Sequence, residues 1–263
     1  MTNDNKRMIA DQFYHAFMTH KQVDAPSTFF PDISYEEAYD IQKIFIEKLK
    51  TNEKFHICGK KVGLTSKAMR KVSGINEPDY GYIFSDRCFT NGSIIPLDLF
   101  VAPRIECELA FRLKKDLNQK KVSVEDVINA TEYVVCCMEI CDFRMFRDKK
   151  QRLVQDSICD DAAFGGYIIG DRPLDIRNVD LSLVPYAFEV NNRQVEVSSG
   201  AAVYDDPAAS VAWLAERFYL IGEPLQAGEL ILSGSAVASV PVERGDHFRC
   251  QFGEFGEVSC TFL

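Results

Sequence analysis

Two glutamates, Glu106 and Glu108, are the residues of this chain whose spacing points most directly to chemistry. They lie in the segment Pro103–Leu113, where apolar and polar residues alternate. Alternation with a period of two is typical of a β-strand, so both carboxylates are expected on one face. Like charges this close repel each other unless a cation lies between them. The pattern favours a hard divalent ion such as Mg²⁺, and the alternative is the solvated polar face of an edge strand.

A third acid, Glu139, lies in an otherwise apolar stretch that is expected to form a buried strand. An ionised carboxylate in such a strand needs a partner. It can pair with Arg104 or Arg144, or it can join Glu106 and Glu108 as a third metal ligand. Three carboxylates from two neighbouring strands suit Mg²⁺ or Mn²⁺.

The segment 59–66 reads Gly-Lys-Lys-Val-Gly-Leu-Thr-Ser and places two lysines in a predicted strand that runs into a glycine turn. Lys60 and Lys61 point to opposite faces of that strand, so at most one of them faces the interior. A lysine near a metal-bound carbonyl could stabilise an enolate or move a proton. A surface lysine is the alternative for either residue.

Further polar residues lie beside glycines and small residues. Asp156, Asp160 and Asp161 precede a Gly-Gly pair, which is consistent with an active-site wall or with helix capping. Ser233 and Ser235 follow a predicted strand but lack the G-x-S-x-G pattern of a serine hydrolase. Either serine could still contact a ligand.

Composition limits the classes of partner. The chain has 263 residues, of which 46% are hydrophobic and 26% charged, and its formal net charge is −9. These values are typical of a globular protein with one large domain or a domain with an appendage. The acidic balance disfavours nucleic acid and anionic membranes as partners, and no apolar run approaches the ~20 residues of a membrane span. An anionic substrate would need a local positive centre, such as a metal or a lysine.

The nine cysteines are an odd number without a C-x-x-C pair, and the N-terminus lacks an apolar signal core. They are therefore expected as reduced thiols in the cytoplasm. Cys136, Cys137 and Cys141 cluster within apolar sequence, which favours buried small side chains over a zinc site. The four histidines are scattered and form no ligand motif.

The order of patterns predicts an α+β fold, with a helical N-terminal segment over residues 1–52 and a mixed-β catalytic body over residues 53–263. A capping-box pattern at 34–37 opens a helix to about Leu49, and Pro207 opens another to about Leu220. The polar segment 142–160 is expected to be a loop or lid. Strands are expected at 55–62, 82–84, 94–95, 105–113, 133–140, 166–169, 187–190, 194–197, 230–233, 248–252 and 257–262. Asn191-Asn192 is expected to form a hairpin turn into the strand 194–197.

Taken together, these motifs resemble those of the 2-keto-4-pentenoate hydratase and 4-oxalocrotonate decarboxylase group of the fumarylacetoacetate hydrolase superfamily. The resemblance extends from about residue 30 to the C-terminus. It rests on motifs that occur in this order: 59–66, 103–108 (Pro-Arg-Ile-Glu-Cys-Glu), 138–142 (Met-Glu-Ile-Cys-Asp), 197–200 (Val-Ser-Ser-Gly), 212–215 (Ala-Trp-Leu-Ala), 224–228 (Pro-Leu-Gln-Ala-Gly), 231–235 (Ile-Leu-Ser-Gly-Ser) and 245–246 (Gly-Asp).

The resemblance implies a mixed β-sheet roll or barrel that holds Mg²⁺ or Mn²⁺. The family's three metal-binding acids match Glu106, Glu108 and Glu139, and its lysine matches Lys61. Its aspartates near a mobile segment match Asp79 and Asp156. The expected substrate contacts are Leu64, Arg104, Asp161, Ser233 and Ser235. Such enzymes are usually cytosolic homo-oligomers that serve meta-cleavage breakdown of aromatic compounds.

Two positions depart from the family pattern. Many relatives read Asp-Asn-Ala where this chain has Asp160-Asp161-Ala162, and many have a small residue where Phe143 follows Asp142. An added acid and a bulky ring near the site could alter the choice of substrate or of reaction.

The expected activity is that of a metal-dependent lyase that adds water to a small 2-hydroxydienoate or 2-oxoenoate and gives a 4-hydroxy-2-oxo acid. Decarboxylation of a 2-oxo-3-enedioate is the alternative, because it uses the same enolate. Carbon–carbon bond hydrolysis is a weaker alternative, since His56 is the one histidine near the Lys61 segment. A non-enzymatic alternative is an inactive partner subunit of a paralogous hydratase or decarboxylase.

Overall fold

The structure is a computed structural model that describes residues 1–66, 70, 75, 77–146 and 153–263. Helices cover the N-terminal part, and strands dominate from residue 57 onward. Within the described ranges, no helix is both long enough and apolar enough to cross a membrane. The helical segment followed by mixed sheets confirms the predicted α+β class.

Three helices form the N-terminal segment: α1 (Asn3–Thr19), α2 (Pro26–Phe29) and α3 (Tyr35–Lys50). The predicted capping box is present, because Ser34 Oγ accepts from the Glu37 backbone and the Glu37 side chain accepts from the Ser34 backbone. Apolar residues at helical spacing bury one face of each long helix, and the rings of Phe17 and Phe45 meet edge to face at 6.1 Å.

The α3 helix packs directly on the β-body. Gln42 is buried and donates from Nε2 to the carbonyl oxygen of Tyr80 at 2.8 Å. One turn away, the rings of Tyr39 and Tyr80 stack with their centroids 4.2 Å apart. These contacts hold the helices against strand residues that lead into the site described below. The division into segments 1–52 and 53–263 stays a prediction.

The first sheet carries the site. Its path runs β2-β1-β10-β5-β6-β7-β3, with β11 paired to β5. The strands are β1 (Ile57–Gly63), β2 (Asp79–Phe84), β3 (Cys88–Thr90), β5 (Pro103–Leu113), β6 (Thr131–Asp142), β7 (Phe164–Ile169), β10 (Leu230–Leu232) and β11 (Val240–Pro241).

This sheet curls into a roll. In the sheet order, β10 and β5 separate β1 from β6, yet Lys61 on β1 donates to Glu139 on β6 at 2.7 Å. Further along, Cys58 on β1 lies 3.4 Å from the hydroxyl of Tyr167 on β7. Side chains from distant strands can meet in this way only because the twisted sheet bends back on itself. The inner face of the roll therefore brings the predicted lysine to the predicted acids.

The second sheet packs beside the roll in the order β4-β13-β12-β8-β9. Asn191 and Asn192 both have positive φ, 52° and 63°, and join two strands of this sheet as the predicted hairpin turn. The strands are β4 (Ser93–Ile95), β8 (Pro185–Val190), β9 (Arg193–Ser199), β12 (His247–Gln251) and β13 (Glu257–Phe262). The remaining helices are α4 (Val124–Ala130), α5 (Val154–Cys159) and α6 (Pro207–Leu220).

The prediction of an irregular loop or lid over 142–160 was wrong in part. Residues 154–159 form α5, and residues 147–152 lie outside the described residues. The helix begins where the carboxylate of Asp156 accepts from the Leu153 backbone at 3.0 Å. Its C-terminal neighbour Asp160 pairs with Arg144 in the protein interior. Among the described residues of this segment, Arg144 and Asp160 owe their charge to a buried pair rather than to contact with solvent.

The Arg144–Asp160 pair allows a test of this packing. Arg144 Nε donates to Asp160 Oδ1 at 2.6 Å, and both side chains are buried. We expect Asp160→Ala to lower the free energy of unfolding by about 3–5 kcal/mol, since the buried guanidinium loses its hydrogen-bonded carboxylate and keeps only the more distant Asp142, at 3.8 Å. Asp175→Ala is the matched control, because the Asp175–Arg177 pair is exposed and should contribute little to the free energy of unfolding. Equal losses in urea denaturation would contradict this account.

Candidate active site

The acids meet at the antiparallel pairing of β5 and β6. Glu106 lies directly opposite Glu139, and Glu108 lies opposite Cys137. Residues that face each other across such a pair share one face of the sheet. One donor atom each from Glu106, Glu139 and Cys141 lies within 4.8 Å of the others. The two strands therefore concentrate carboxylates on the inner face of the roll, as the alternation of the sequence predicts.

Glu108 stands slightly apart from this compact group. Its Oε2 accepts from the backbone of Gly234 at 2.8 Å, which turns one side of the carboxylate toward the segment after β10. Its charge still interacts with those of Glu139 and Glu106. The three predicted metal-binding acids thus lie on one face. The sulfur of Cys141 is a further possible metal ligand that the prediction did not include.

Burial makes this cluster of acids costly without a cation. Glu108 and Glu139 are fully buried, whereas Glu106 keeps part of its surface accessible. Removal from water, followed by repulsion from Glu139, raises the pKa of Glu106 to about 7. The same two causes raise the pKa of Glu108 well above its ordinary value. A divalent ion that enters from the Glu106 side would attract the charged carboxylates and so offset the cost of burying them.

Two of the buried carboxylate oxygens, Glu108 Oε1 and Glu139 Oε2, have no hydrogen-bond partner among the described residues. Buried polar atoms are normally satisfied, so such atoms call for an explanation. Both belong to acids of the same face, and oxygen is the donor that Mg²⁺ and Mn²⁺ prefer. The residues present therefore fit a hard divalent ion held by Glu106, Glu108 and Glu139.

Lys61 lies at the edge of this cluster. Its Nζ donates to Glu139 Oε1 at 2.7 Å and to the carbonyl oxygen of Ala162 at 2.8 Å. Burial alone would lower the pKa of this lysine, but the attraction of Glu139 and neighbouring acids outweighs it and raises the pKa well above its ordinary value. The side chain is therefore a buried, fixed cation. Lys60 points away, and its ammonium pairs with Glu229.

The carbonyl that holds Lys61 belongs to a strained turn. Asp161, Ala162 and Ala163 have φ values of 53°, 49° and 59°, which place three successive non-glycine residues in the left-handed region. Strain of this kind persists where surrounding contacts determine the backbone, and it concentrates at functional sites. The Asp161 carboxylate supplies one such contact, because it accepts from the Tyr82 backbone at 2.9 Å.

Space for this turn comes from a glycine. Gly81 lies opposite Lys61 in the β1–β2 register, and a Cβ added to it would lie 2.7 Å from the backbone oxygen of Asp161. Burial raises the pKa of Asp161 well above its ordinary value. The turn thus packs closely over β2 and brings the Ala162 carbonyl to the ammonium.

Asp79 is the predicted aspartate that lies near the lysine. It begins β2 opposite Gly63, and a Cβ on Gly63 would overlap its carboxylate. Burial raises the pKa of Asp79 to about 6, although the charge of Lys61 opposes that shift. Its Oδ1 has no hydrogen-bond partner in the described part of the chain. The carboxyl group is therefore available to a small polar molecule beside Lys61.

The other predicted contacts surround these groups at varying distances from the acids. Leu64 follows β1 with a φ of 57°, and its carbonyl accepts from Arg70 at 2.7 Å. Arg104 shares the face of Glu106 but donates from Nε to the Ser239 hydroxyl at 2.8 Å. These contacts do not test the predicted roles of either residue in substrate binding.

Ser233 and Ser235 flank the glycine that donates to Glu108. The Ser233 hydroxyl is fully buried and has no partner among the described residues. The Ser235 hydroxyl donates to the Val237 carbonyl at 2.8 Å and accepts from the Cys107 backbone at 3.2 Å. Ser235 therefore stabilises the loop itself, and its predicted contact with substrate stays a prediction.

The Asp156 carboxylate makes hydrogen bonds within the fold. It accepts from the backbone and the hydroxyl of Ser27 at 2.8 and 2.7 Å, in addition to the Leu153 backbone. The side chain is fully buried. Asp156 thus joins α2 to α5, and its predicted role in catalysis stays a prediction.

With this geometry established, comparison with known proteins is informative. Residues 67–263 match the model of the fumarylacetoacetate hydrolase C-terminal family. The chain belongs to this family. The match includes β5 and β6 and thus all three acids, whereas Lys61 lies just before it. The predicted roll and the predicted family are both confirmed.

Individual relatives of the chain within this family include hydratases of 2-oxo acids. The chain is 39% identical over 260 residues to the 2-oxo-hept-4-ene-1,7-dioate hydratase of Escherichia coli, covering 97% of both chains. It is 34% identical over 262 residues to the 2-keto-4-pentenoate hydratase of Paraburkholderia xenovorans, covering 100% of this chain and 96% of the relative. These relatives are hydratases, which are lyases.

A solved structure is similarly close. The 4-oxalocrotonate decarboxylase of Pseudomonas putida G7, complexed with magnesium and adipate, superposes with a TM-score of 0.94 at 29% identity. The match covers 100% of this chain and 99% of that chain. Another structure of the decarboxylase holds calcium and acetate. Divalent ions in these neighbours agree with the ion that the buried acids of this chain fit, and the chain is assigned as a metal-dependent lyase.

Two features of the candidate site were missed from the sequence. Cys141 shares the parity of Glu139, so the same alternation that selected the glutamates would have placed its sulfur on their face. The Ala162 carbonyl has no signal in residue type, because a backbone oxygen is common to every residue. Its position depends on a left-handed turn of residues that rarely adopt that conformation.

The metal centre leads to a first test at this site. Glu139→Gln keeps the shape of the side chain but removes the charge between Lys61 and the ion. We expect Mn²⁺ affinity to fall by at least about 100-fold, measured by titration calorimetry. Glu132→Gln is the control on the same strand, since Glu132 is exposed. Unchanged Mn²⁺ binding by the Glu139 variant would contradict the assignment of this face as the metal centre.

The turn that holds Lys61 leads to a second test. Gly81→Ala places a methyl group against Asp161 and should displace the Ala162 carbonyl from Lys61. We expect kcat to fall roughly 100-fold while Mg²⁺ affinity is retained, because a small misplacement at a reacting centre is costly. Gly170→Ala is the control, since its Cβ would meet the Cys136 carbonyl at 3.0 Å, away from Lys61. Equal kcat in both variants would refute the positioning role.

Proposed function

We propose that this protein is a hydratase that adds water to a small 2-hydroxydienoate, through its 2-oxoenoate tautomer, and gives a 4-hydroxy-2-oxo acid. The observation that carries the proposal is the contact of Lys61 with Glu139 on a buried face of carboxylates. Its relatives at 34–39% identity over nearly the whole chain are hydratases of such acids. The pathway implied by these relatives is breakdown of aromatic compounds.

The acids are suited to hold the metal that orients such a substrate. Glu106, Glu108 and Glu139 would hold Mg²⁺ or Mn²⁺, and that ion when bound supplies a positive centre that stabilises negative charge on the substrate 2-oxygen. Among these acids, Glu106 retains accessible surface, so substrate would approach on its side. The hydrophobic residues behind the acids keep bulk water from the opposite side.

Lys61 would act on the same oxygen or on the adjacent carbon. An ammonium group has three N–H donors, and two of those of Lys61 are directed at Glu139 and Ala162. Within the described part of the chain, one donor therefore remains for substrate. Because its two contacts fix the group, the lysine can stabilise the developing enolate with little reorganisation during the reaction.

Asp79 would position the water. Its Oδ1 is unpartnered among the described residues, and the carboxyl group interacts with the charge of Lys61. In the overall reaction the enol proton leaves the 2-oxygen, a proton is gained at C5, and water adds its hydroxyl at C4 and a proton at C3. No oxidant or reductant is consumed, so two proton-transfer groups and a positive centre suffice.

Decarboxylation of a 2-oxo-3-enedioate is the second candidate. It is favoured by the close superposition on 4-oxalocrotonate decarboxylase, whose structure contains magnesium and adipate. Both reactions use the same enolate, and they differ in the bond that changes at the far end of the substrate. Released CO₂ distinguishes them.

The inactive-subunit alternative is disfavoured because Lys61 and the three acids are all present and assembled. Association with further copies of the chain, or with a paralogous hydratase or decarboxylase, stays a prediction. A cytoplasmic location is likewise proposed, and the free thiols of all nine cysteines support it.

A product assay tests the proposed function. Purified protein with Mg²⁺ should consume 2-hydroxypenta-2,4-dienoate or 2-hydroxyhepta-2,4-diene-1,7-dioate. The reaction is monitored by the loss of ultraviolet absorbance, and no CO₂ should be released. We expect Lys61→Ala to lower kcat about 10²–10⁴-fold. Lys60→Ala is the control, because Lys60 pairs with Glu229 on the other face. CO₂ from 2-oxohex-3-enedioate with no turnover of either dienoate would establish the decarboxylase instead, and full kcat in the Lys61 variant would remove lysine from the mechanism.

A further inference from the structure

A thiol lies within the carboxylate cluster. Cys141 lies two residues after Glu139 on β6, so both side chains are on the same face of the sheet. Glu106 lies opposite Glu139 on β5 and shares that face. One possible ligand atom each from Glu106, Glu139 and Cys141 lies within 4.8 Å of the other two. One ion could therefore contact the sulfur and both carboxylates.

The sulfur of Cys141 is shielded from solvent and is not part of a disulfide. Cys141 is 4% exposed, and it is a free thiol. A second cysteine of the same face, Cys137, lies opposite Glu108 but outside the compact group. The two cysteines thus have the same strand and parity, and they differ in whether two carboxylates accompany the sulfur.

Sulfur changes which ions such a group prefers. Mg²⁺ and Ca²⁺ take oxygen ligands, whereas thiolate favours softer or borderline ions. Zn²⁺ is commonly bound by mixed sets of sulfur and oxygen or nitrogen ligands, and any given site binds it more tightly than Mn²⁺. A carboxylate cluster with a sulfur donor therefore discriminates less against these ions than one made of oxygen alone.

We propose that Cys141 is an additional ligand of this centre, which makes it a site for thiophilic divalent ions such as Zn²⁺, Co²⁺ and Cd²⁺ in competition with Mg²⁺. The proposal rests on the metal centre of the proposed function. When such an ion binds, the metal–sulfur bond forms and the S–H bond breaks, and the proton leaves to solvent. The oxidation states do not change.

The decisive measurement is spectroscopic and does not require turnover. Metal-free protein is loaded with Co²⁺, bound cobalt is quantified, and the near-ultraviolet sulfur-to-cobalt charge-transfer band is recorded. We expect the band in wild type and in Cys137→Val, and we expect it to be absent in Cys141→Val with cobalt still bound. A bound-cobalt spectrum that is the same in wild type and Cys141→Val would overturn the inference while leaving the metal centre intact.

Competition provides a second readout. We expect Cys141→Val to lower Cd²⁺ affinity by at least about 100-fold and to leave Mg²⁺ affinity unchanged, because magnesium takes oxygen ligands. Cd²⁺ affinity equal to that of wild type would show that the thiol is not a ligand and would overturn the inference. If wild type binds neither Co²⁺ nor Mg²⁺, the metal centre fails, and the proposed function fails with it.

Discussion

The repulsion among Glu106, Glu108 and Glu139 is the constraint on which the rest of the site depends. Their charges crowd on one side of two paired strands, and two of the three are fully out of water. The Lys61 ammonium contacts Glu139, and its one positive charge balances at most one of the three carboxylates. A net negative charge therefore remains within the roll, and folding tolerates it only to the extent that protons or a cation compensate. Compensation by a divalent cation, rather than by protons, would give the metal-dependent chemistry proposed for this site.

The surrounding backbone is built to keep that arrangement fixed. Lys61 can reach Glu139 because the sheet curls, and it is directed there by a carbonyl from a turn that three residues enter with unfavourable φ values. Gly81 leaves the room for this turn, and Gly63 leaves the room for Asp79. Each of these features lowers stability locally, and the deep packing of the helices and strands offsets that cost.

Sequence patterns predicted most of the fold and part of the site, and the reasons differ from element to element. The helix Pro207–Leu220 and the hairpin at Asn191 carry local signals, so periodicity and turn chemistry sufficed. Alternation also placed the glutamates correctly, because a strand has one possible parity. The helix Val154–Cys159 was missed, since its residues owe their polarity to buried partners distant in sequence, such as Ser27 for Asp156. Contacts of that kind, like the carbonyl of Ala162 on Lys61, depend on how the sheet closes rather than on any short motif.

The position of Lys61 in the chain has a consequence for how this architecture could be divided. The matched family region begins at residue 67, so the lysine lies outside it although β1 is hydrogen-bonded inside the sheet. A gene truncated at that boundary would still encode every acid of the site, yet its product would lack an interior strand and the Lys61 ammonium that contacts Glu139. A chimaera that took its C-terminal region from a relative would therefore need a β1 strand, supplied by the recipient protein, that fits the new sheet. If Lys61 acts as proposed, the part of the chain that activity requires is longer than the region by which the family is recognised.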